Sequence, residues 1–341
     1  MPAVAEFAGR YDLLDELGTG SNGTVRRALD RHLNREVAIK LYEHGAQLGV
    51  ATREAQILVA LEGPHILRVF NADKYQDVPY IATEIAAMGS AADHLTARGI
   101  RPELAVRWVR HALVGLNVCH ARGLIHGDIK PGNIFLQNDE LAQLGDFGTA
   151  EVMDTTGHTP SRGTWAIRAP ECFSAGRMTI ASDIYSAGLA LYTLLSGSNP
   201  FDLGTHPELR DAIVNGRRPP LRDLAPHVPR SLVNRVDRAM EVKPTQRYAS
   251  AAAFHWDLGR FSYKGRLFGP TAPHPGHDRC WFGAMPNGKA GVQVCVIASD
   301  GGHDVEVRRT GGASTRIRER CAQGLSAKQL LVHLRRTFDT L

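Results

Sequence analysis

Leu124-Ile-His126-Gly127-Asp128-Ile-Lys130-Pro-Gly-Asn133-Ile-Phe135-Leu136, followed after a short polar turn by Leu144-Gly-Asp146-Phe147-Gly148, decides the fold. Short apolar runs flank turns that present carboxylates. A single Asp on a loop is usually a solvated turn residue. Here Asp128 and Asn133 stand five apart with Lys130 between them, and Asp146 follows thirteen residues after the Asn. The set holds a proton acceptor, a cation able to face phosphate, and two oxygen ligands for a hard divalent ion. Phosphoryl transfer uses these parts, because its transition state is stabilised mainly by positioning and by neutralising charge.

Toward the N-terminus, Tyr11–Leu17 runs into Gly18-Thr-Gly20-Ser-Asn-Gly23-Thr-Val25. Glycines at this spacing before a strand let backbone N–H groups approach phosphates, although a Gly-rich hairpin has the same look. The strand Glu36-Val37-Ala38-Ile39-Lys40-Leu41 adds weight, since an ammonium ending an apolar strand needs anionic partners. Ala51, Ile57, Leu58 and Leu61 have helical spacing within 47–62, and Glu54 on that helix is preferred over Glu43 and Glu62 as the partner of Lys40. Strands are expected at 66–70 and 79–83. Toward the C-terminus, Arg101-Pro102-Glu103 opens a helix and Gly123 ends it, with Leu104, Trp108, Leu113 and Leu116 on its inner side. His126 invites reading as a general base, but its apolar neighbours Leu124 and Ile125 favour a structural histidine.

The ordered set of Gly-rich loop, Val-Ala-Ile-Lys, His-x-Asp-x-Lys-x-x-Asn and Asp-Phe-Gly resembles the eukaryotic-type (bacterial Hanks-type) serine/threonine protein kinases over residues 9–262. That resemblance implies an α+β, bilobal fold: a β-rich N-lobe (9–83), a hinge (84–86) and a helical C-lobe (87–262). It implies ATP and Mg²⁺ as cofactors, protein Ser/Thr hydroxyls as acceptors, and a capacity for autophosphorylation. Asp128 would be the base or positioning carboxylate, Lys130 would face the γ-phosphate, and Asn133 and Asp146 would hold Mg²⁺. Lys40 and Glu54 would position the α- and β-phosphates under Gly18, Gly20 and Gly23. Thr83 would be the gatekeeper, the backbone at Glu84 and Ala86 would bond the adenine edge, and Val25, Ala38 and Phe135 would sandwich the ring. His126, Phe147, Leu58 and Val69 match the stacked spine, with Asp183 anchoring its base. Gly163–Glu171 resembles the end of an activation segment, in which Thr164 bridges Asp128 and Lys130 and Glu171 pairs with Arg247.

One departure matters. Most regulated kinases carry Arg before the catalytic Asp, where it pairs with phosphate on the activation loop; this chain has Gly127. Activity is therefore expected not to require phosphorylation of Thr155, Thr156, Thr159 or Ser161. Gly127 also resembles the loop of aminoglycoside and choline-type phosphotransferases, which take small-molecule acceptors. Lys130, Thr164 and the full segment to Glu171 favour a protein acceptor. A catalytically dead scaffold is disfavoured because Lys40, Asp128, Asn133 and Asp146 are all present.

At 341 residues with 43% hydrophobic and 7% aromatic content, the chain suits a soluble protein of two or three cores. It lacks an apolar run of membrane-spanning length and begins without a signal-peptide pattern, so a cytoplasmic protein without membrane partners is expected. Five cysteines without a CxxC pair support neither a zinc site nor a disulfide framework, and His255, His274 and His277 show no metal-site spacing. The net charge of +5 is uneven: Lys264–Leu341 holds 12 Lys and Arg against 6 Asp and Glu.

A Pro- and Gly-rich stretch, 263–278, reads as a linker. Beyond it, 279–341 alternates as strands at 279–284, 291–299 and 303–309. A capped helix then begins at Ser326, giving a small β-meander with one covering helix. About 60 residues is marginal for an independent core, so docking on the kinase or dimerisation is expected. Arg308, Arg309, Arg316, Arg318, Arg320, Arg335 and Arg336 offer a basic face for nucleic acid or an acidic partner, or simply a solvated face.

Overall fold

Period-two alternation through the first lobe puts Tyr11, Val37, Ile39, Tyr80 and Ala82 into one buried layer. The structure is a computed structural model that describes residues 5–20, 23–42, 61–161, 163–201, 204–261, 266–284, 291–311 and 314–341. Its first sheet contains β1 (Ala5–Phe7), β2 (Tyr11–Gly20), β3 (Gly23–Asp30), β4 (Arg35–Tyr42), β5 (Val69–Tyr75) and β6 (Val78–Thr83), in the order β1-β2-β3-β4-β6-β5. Val25 lies opposite Lys40 across β3 and β4, so Val25, Ala38 and Lys40 share the face away from that buried layer. Residues 47–60 of the expected helix, Glu54 and Leu58 among them, lie outside the described residues, and Leu61 and Glu62 at its expected end are not helical.

The strand expected at 66–70 starts later, at Val69. The reason is competition for backbone partners: Leu67 N–H donates to Leu144 O (2.9 Å) and Leu144 N–H to His65 O (2.9 Å), tying 65–67 to the second lobe.

That lobe is built on α1 (Pro102–Ala121), which starts with Pro in its first turn and stops before Gly123. Short strands follow: β7 (Leu124–Ile125), β8 (Ile134–Asn138), β9 (Leu141–Leu144), β10 (Glu151–Val152), β11 (Thr159–Pro160) and β12 (Arg177–Met178). Between β11 and β12 runs the short helix α2 (Pro170–Ala175), and α3 (Ile180–Ser196) follows, buried through almost its whole length and capped by Thr179 and Ser182. Around α3 pack α4 (His206–Val214), α5 (Leu221–Leu224), α6 (Arg230–Ala239) and α7 (Ala251–Gly259).

The basic C-terminal region has a core of its own: Phe268, Trp281, Val292, Val294, Val296, Val305, Val307, Leu330, Leu334 and Phe338. Its sheet is a meander of β13 (Leu267–Thr271), β14 (Arg279–Ala284), β15 (Val292–Ser299), β16 (Gly302–Arg309) and β17 (Thr315–Arg316), with β18 (Ala322–Leu325) also on β16. The helix α8 (Ala327–Thr340) covers it, opened by the expected Ser326/Gln329 capping box. The reading of 263–278 as a linker needs correction, because 267–271 is the edge strand. Only an edge strand accepts Pro270, whose missing N–H costs no ladder bond there.

The module docks on the second lobe. Arg222 forks onto Asp339 (2.7 and 3.1 Å), Arg335 reaches Asp223 and the Arg222 carbonyl, and His227 packs near the rings of Trp281 and Phe338. The proposed basic face is correspondingly broken up: Arg335 is spent on docking, and Arg308 and Arg316 flank Glu306. The reading of the late histidines also needs correction. His274, His277, Cys280 and Cys295 place their ligand atoms within 4.8 Å of one another. Sequence spacing hid this because strand register, not sequence proximity, sets Cys295 opposite Cys280.

Candidate active site

β7 delivers His126-Gly127-Asp128 from the buried floor of the second lobe. Asp183, at the start of α3, accepts the backbone N–H groups of His126 and Gly127 (both 2.9 Å) and a bond from the His120 ring (2.8 Å). His126 is fully buried, its Nε2 faces Gly145 O at 3.2 Å, and its ring packs 4.8 Å from that of Phe147. The histidine therefore braces two loops and is not placed to accept a substrate proton. Val69 packs against the same core.

Gly127 is locally favoured. Its φ is +78°, and an added Cβ would stand 2.8 Å from Met178 Cε and 3.5 Å from Thr149 O. Met178 of β12 thus fills the space beside the catalytic loop.

Asp128 is buried but well supplied with donors. Lys130 Nζ donates to its Oδ2 (2.7 Å), Thr164 N–H to its Oδ1 (3.0 Å), and Asn133 Nδ2 to its carbonyl (2.7 Å) and Oδ2 (3.0 Å). Lys130 Nζ also donates to Thr164 Oγ (3.1 Å), so the threonine bridges the two as expected. Burial pushes the Asp128 carboxyl up, but the Lys130 hydrogen bond and charge, with the Thr164 N–H, outweigh it and hold the group below its ordinary value. It therefore stands ionised at neutral pH and able to accept a further hydrogen bond.

The hairpin of β8 and β9 closes on the pair Ile134–Leu144, and Gly145 N–H donates to Asn133 O (3.1 Å). Asn133 and Asp146 therefore flank the mouth of one hairpin. Asp146 has a φ of +57°, a left-handed conformation that Asp tolerates better than most residues, and its Oδ1 accepts from Lys40 Nζ at 2.9 Å. The donor set fits a hard divalent cation. Both Asn133 N–H groups are committed to Asp128, which leaves its amide oxygen, and Asp146 keeps a second carboxylate oxygen in a half-exposed side chain.

Above this floor lies the opposite wall of the cleft. Gly18, Gly20 and Gly23 stand at the β2–β3 hairpin, where Gly20 pairs with Gly23. Gly23 has φ +141°, and a Cβ there would come 2.0 Å from Leu41 O. Thr83 pairs with Ala38 across β4 and β6. Glu84 N–H is used by Arg68 O (2.8 Å) and Ala86 O by Gly89 N–H (3.0 Å). The Glu84 carbonyl and Ala86 N–H take no partner among the described residues, which is the pattern needed to bond a purine edge. Sequence reasoning overlooked Gln143, which bonds the Glu84 carboxylate (3.2 Å) and thereby ties the hinge to β9. Phe135, on the floor, rests against Gly145, within 2.8 Å of where a Cβ would lie. Of the expected site residues, only Glu54 falls outside the described residues.

Two unequal lobes, a cleft bounded by Lys40 above and Asp128, Asn133 and Asp146 below, and an anchored loop behind them are the architecture of the protein kinase fold. Residues 11–257 match the family model for the protein kinase domain, and the chain belongs to that family. It is similar to the serine/threonine-protein kinase PknJ of Mycobacterium tuberculosis, 31% identical over 302 residues, 84% of this chain and 51% of the relative. It is also similar to PrkC of Bacillus subtilis (30% over 261 residues, 74% of this chain and 40% of the relative). A third relative is PknB of Mycolicibacterium smegmatis (29% over 354 residues, 98% of this chain and 55% of the relative). The chain spans about half the length of these curated relatives. Among the described residues no helix is long and apolar enough to cross a membrane.

Proposed function

We propose that the protein transfers the γ-phosphoryl group of ATP to Ser and Thr hydroxyls of proteins, its own among them. The observation that carries this reading is the Asp128–Lys130–Thr164 bridge. It couples the carboxylate that would receive the acceptor hydroxyl to the ledge on which an extended peptide would lie. Asp128 orients the hydroxyl toward the phosphorus and draws off its proton as the bond forms, a contribution of roughly 10²–10⁴-fold for such groups. Lys130, displaced from Asp128 by substrate, follows the charge moving onto the γ-phosphoryl oxygens. Lys40, with Glu54, holds the α- and β-phosphates, and the Gly18–Gly23 hairpin covers them with backbone N–H groups. Val25, Ala38 and Phe135 sandwich the purine, Thr83 limits the space behind it, and the backbone at Glu84 and Ala86 bonds its edge. Magnesium held by Asn133 and Asp146 would supply charge neutralisation along the triphosphate. Five free cysteines suit a reducing cytoplasm, where we place the reaction.

The test is phosphosite mapping after incubation with Mg-ATP and a generic basic protein, or with an aminoglycoside, using wild type beside Asp128→Asn. Phosphoserine or phosphothreonine in the wild type alone is the expected result. Phosphorylated aminoglycoside without phosphoprotein would overturn the protein-acceptor reading, and no ATP turnover on either acceptor or on the chain itself would overturn catalysis.

A further inference from the structure

The turn between β13 and β14 brings two histidines against two cysteines that face each other across a pair of strands. Cys280 and Cys295 are directly opposed in the β14–β15 register, on the face away from Val292, Val294 and Val296. His274 and His277 close over them from the turn: His277 Nδ1 is 3.5 Å from Cys280 Sγ, and His274 Nδ1 is 3.6 Å from Cys280 Sγ and 3.7 Å from Cys295 Sγ. The two Nδ1 atoms are 3.4 Å apart.

Hydrogen bonding does not account for this cluster. A ring nitrogen carries either one N–H or one in-plane lone pair, whereas His274 Nδ1 has three potential ligand atoms around it. A tetrahedral ion does account for it. With zinc–sulfur bonds of about 2.3 Å and zinc–nitrogen bonds of about 2.0–2.1 Å, tetrahedral edges come to about 3.3–3.4 Å for N–N and about 3.5–3.6 Å for S–N. The observed 3.4 Å and 3.5–3.7 Å separations match those edges. The spacing is too tight for a two-iron cluster, in which the cysteine and histidine pairs sit on different metal atoms.

We infer that His274, His277, Cys280 and Cys295 bind a single zinc ion that clamps the β13–β14 turn onto the sheet of the C-terminal module. Two thiols lose their protons on binding, so two thiolates and two neutral imidazoles around Zn²⁺ give a centre of zero net charge, suited to a largely buried position. Cys280 and Cys295 are 0% and 4% exposed, while His274 lies at the surface and leaves a path for loading. Gln293, on the same face as Cys295, lies 3.0 Å from His274 Nε2. The nearer atom is the amide nitrogen, Gln293 Nε2; turned by 180° about its terminal bond, the carboxamide presents its oxygen instead, which accepts the His274 Nε2–H and leaves Nδ1 as the ligand.

The module has reason to need the clamp, since a sheet and one helix of this size sit at the lower limit for an independent core. The clamped turn also contacts the catalytic domain, because Arg98 donates to the Asp278 carbonyl beside His277.

The experiment measures metal content of the full-length chain, purified under reducing conditions, by inductively coupled plasma mass spectrometry. Beside wild type stand Cys280→Ser/Cys295→Ser, His277→Ala, the control Cys321→Ser and the catalytic variant Asp128→Asn. About one zinc per chain is expected in wild type and in both controls, with loss from the two ligand variants. Because those variants can lose metal through misfolding, cobalt substitution of wild type supplies an independent readout: the visible d–d bands of a tetrahedral site with a thiolate-to-cobalt charge-transfer band. Metal-free wild type that takes up neither zinc nor cobalt, octahedral cobalt without thiolate bands, a Cys280–Cys295 disulfide in freshly reduced protein, or zinc retained in the double-serine variant would each overturn the inference.

Discussion

Removing Glu171 should be among the most damaging single changes outside the cleft. The Arg247 side chain is 0% exposed, and all five of its N–H groups are used. Two go to the Glu171 carboxylate (both 2.7 Å) and three to the carbonyls of Glu241, Ala181 and Val242 (2.7, 2.8 and 3.1 Å). Glu171→Ala keeps the three carbonyl bonds but leaves two donors and a whole positive charge buried without a counterion. Breaking a buried pair from one side costs about 3–5 kcal/mol. At about 2–4 °C of melting temperature per kcal/mol for a domain of 150–250 residues, the loss is about 6–20 °C. Arg247→Met alone is damaging for a different reason, because it strands three carbonyls. The double variant removes the uncompensated charge, so it should be less destabilised than the sum of the singles by about 1 kcal/mol or more. Differential scanning calorimetry and urea titration of the four proteins provide the cycle. A Glu171→Ala penalty below 1 kcal/mol, or strictly additive singles, would refute the assignment of a buried, charge-compensating role.

Three further outcomes are expected. Gly127→Arg installs the residue most regulated kinases carry, but at φ +78° and against Met178; it should cost about 1–2 kcal/mol and fail to make activity depend on activation-segment phosphate, as phosphatase treatment before the assay would reveal. Replacing Thr155, Thr156, Thr159 and Ser161 together by Ala should leave kcat within a few-fold of wild type, and loss of turnover in a folded variant would show that a phosphate is needed. The module should undock in acid: burial, then the Arg222 charge, push the His227 imidazole down to about 3 from a usual 6.5. The native form excludes the proton that the exposed form takes up below pH 6.5, so stability is full above that value and declines as pH falls toward 3. The decline is about 2 kcal/mol by pH 5. His111, held near 4 by burial and the neighbouring His65, adds a loss of the same sign, so His227→Phe should flatten only part of the pH profile of melting.

What was legible in the sequence was what short spacing determines. Asp128, Lys130 and Asn133 sit on one turn, and Asp146 returns beside them because β8 and β9 are two strands of a single hairpin, so the order of residues already implied their meeting. The Ser326 cap and the valine alternation of β15 and β16 were equally local. What escaped depended on register and on packing between distant segments. Pro270 and its glycine neighbours have linker composition, and only the strand's place at the sheet edge permits them there. Cys280 and Cys295 become neighbours through strand pairing, and the Arg222–Asp339 fork joins residues more than a hundred positions apart. Neither leaves a periodic trace.

The same distinction bears on how the segment after the Asp146 loop is ordered. A phosphate-reading Arg before the catalytic Asp would make loop geometry conditional on a modification. Here that position is Gly127, and Met178 of β12 stands where its side chain would begin. β12 is in turn paired to β11 within the activation segment, with Thr159 opposite Met178. The N-terminal part of the segment is pinned by Met153 N–H on Gly123 O (2.7 Å), just before a local turn that Asp154 closes on the Thr156 and His158 N–H groups (2.8 and 3.0 Å), and its far end by Thr164 on Asp128. Packing and backbone pairing thus supply at three points the order that a phosphate would otherwise have to create. Under the proposed function this order predicts a segment that assembles without a phosphate, the outcome the four-Ala variant reads.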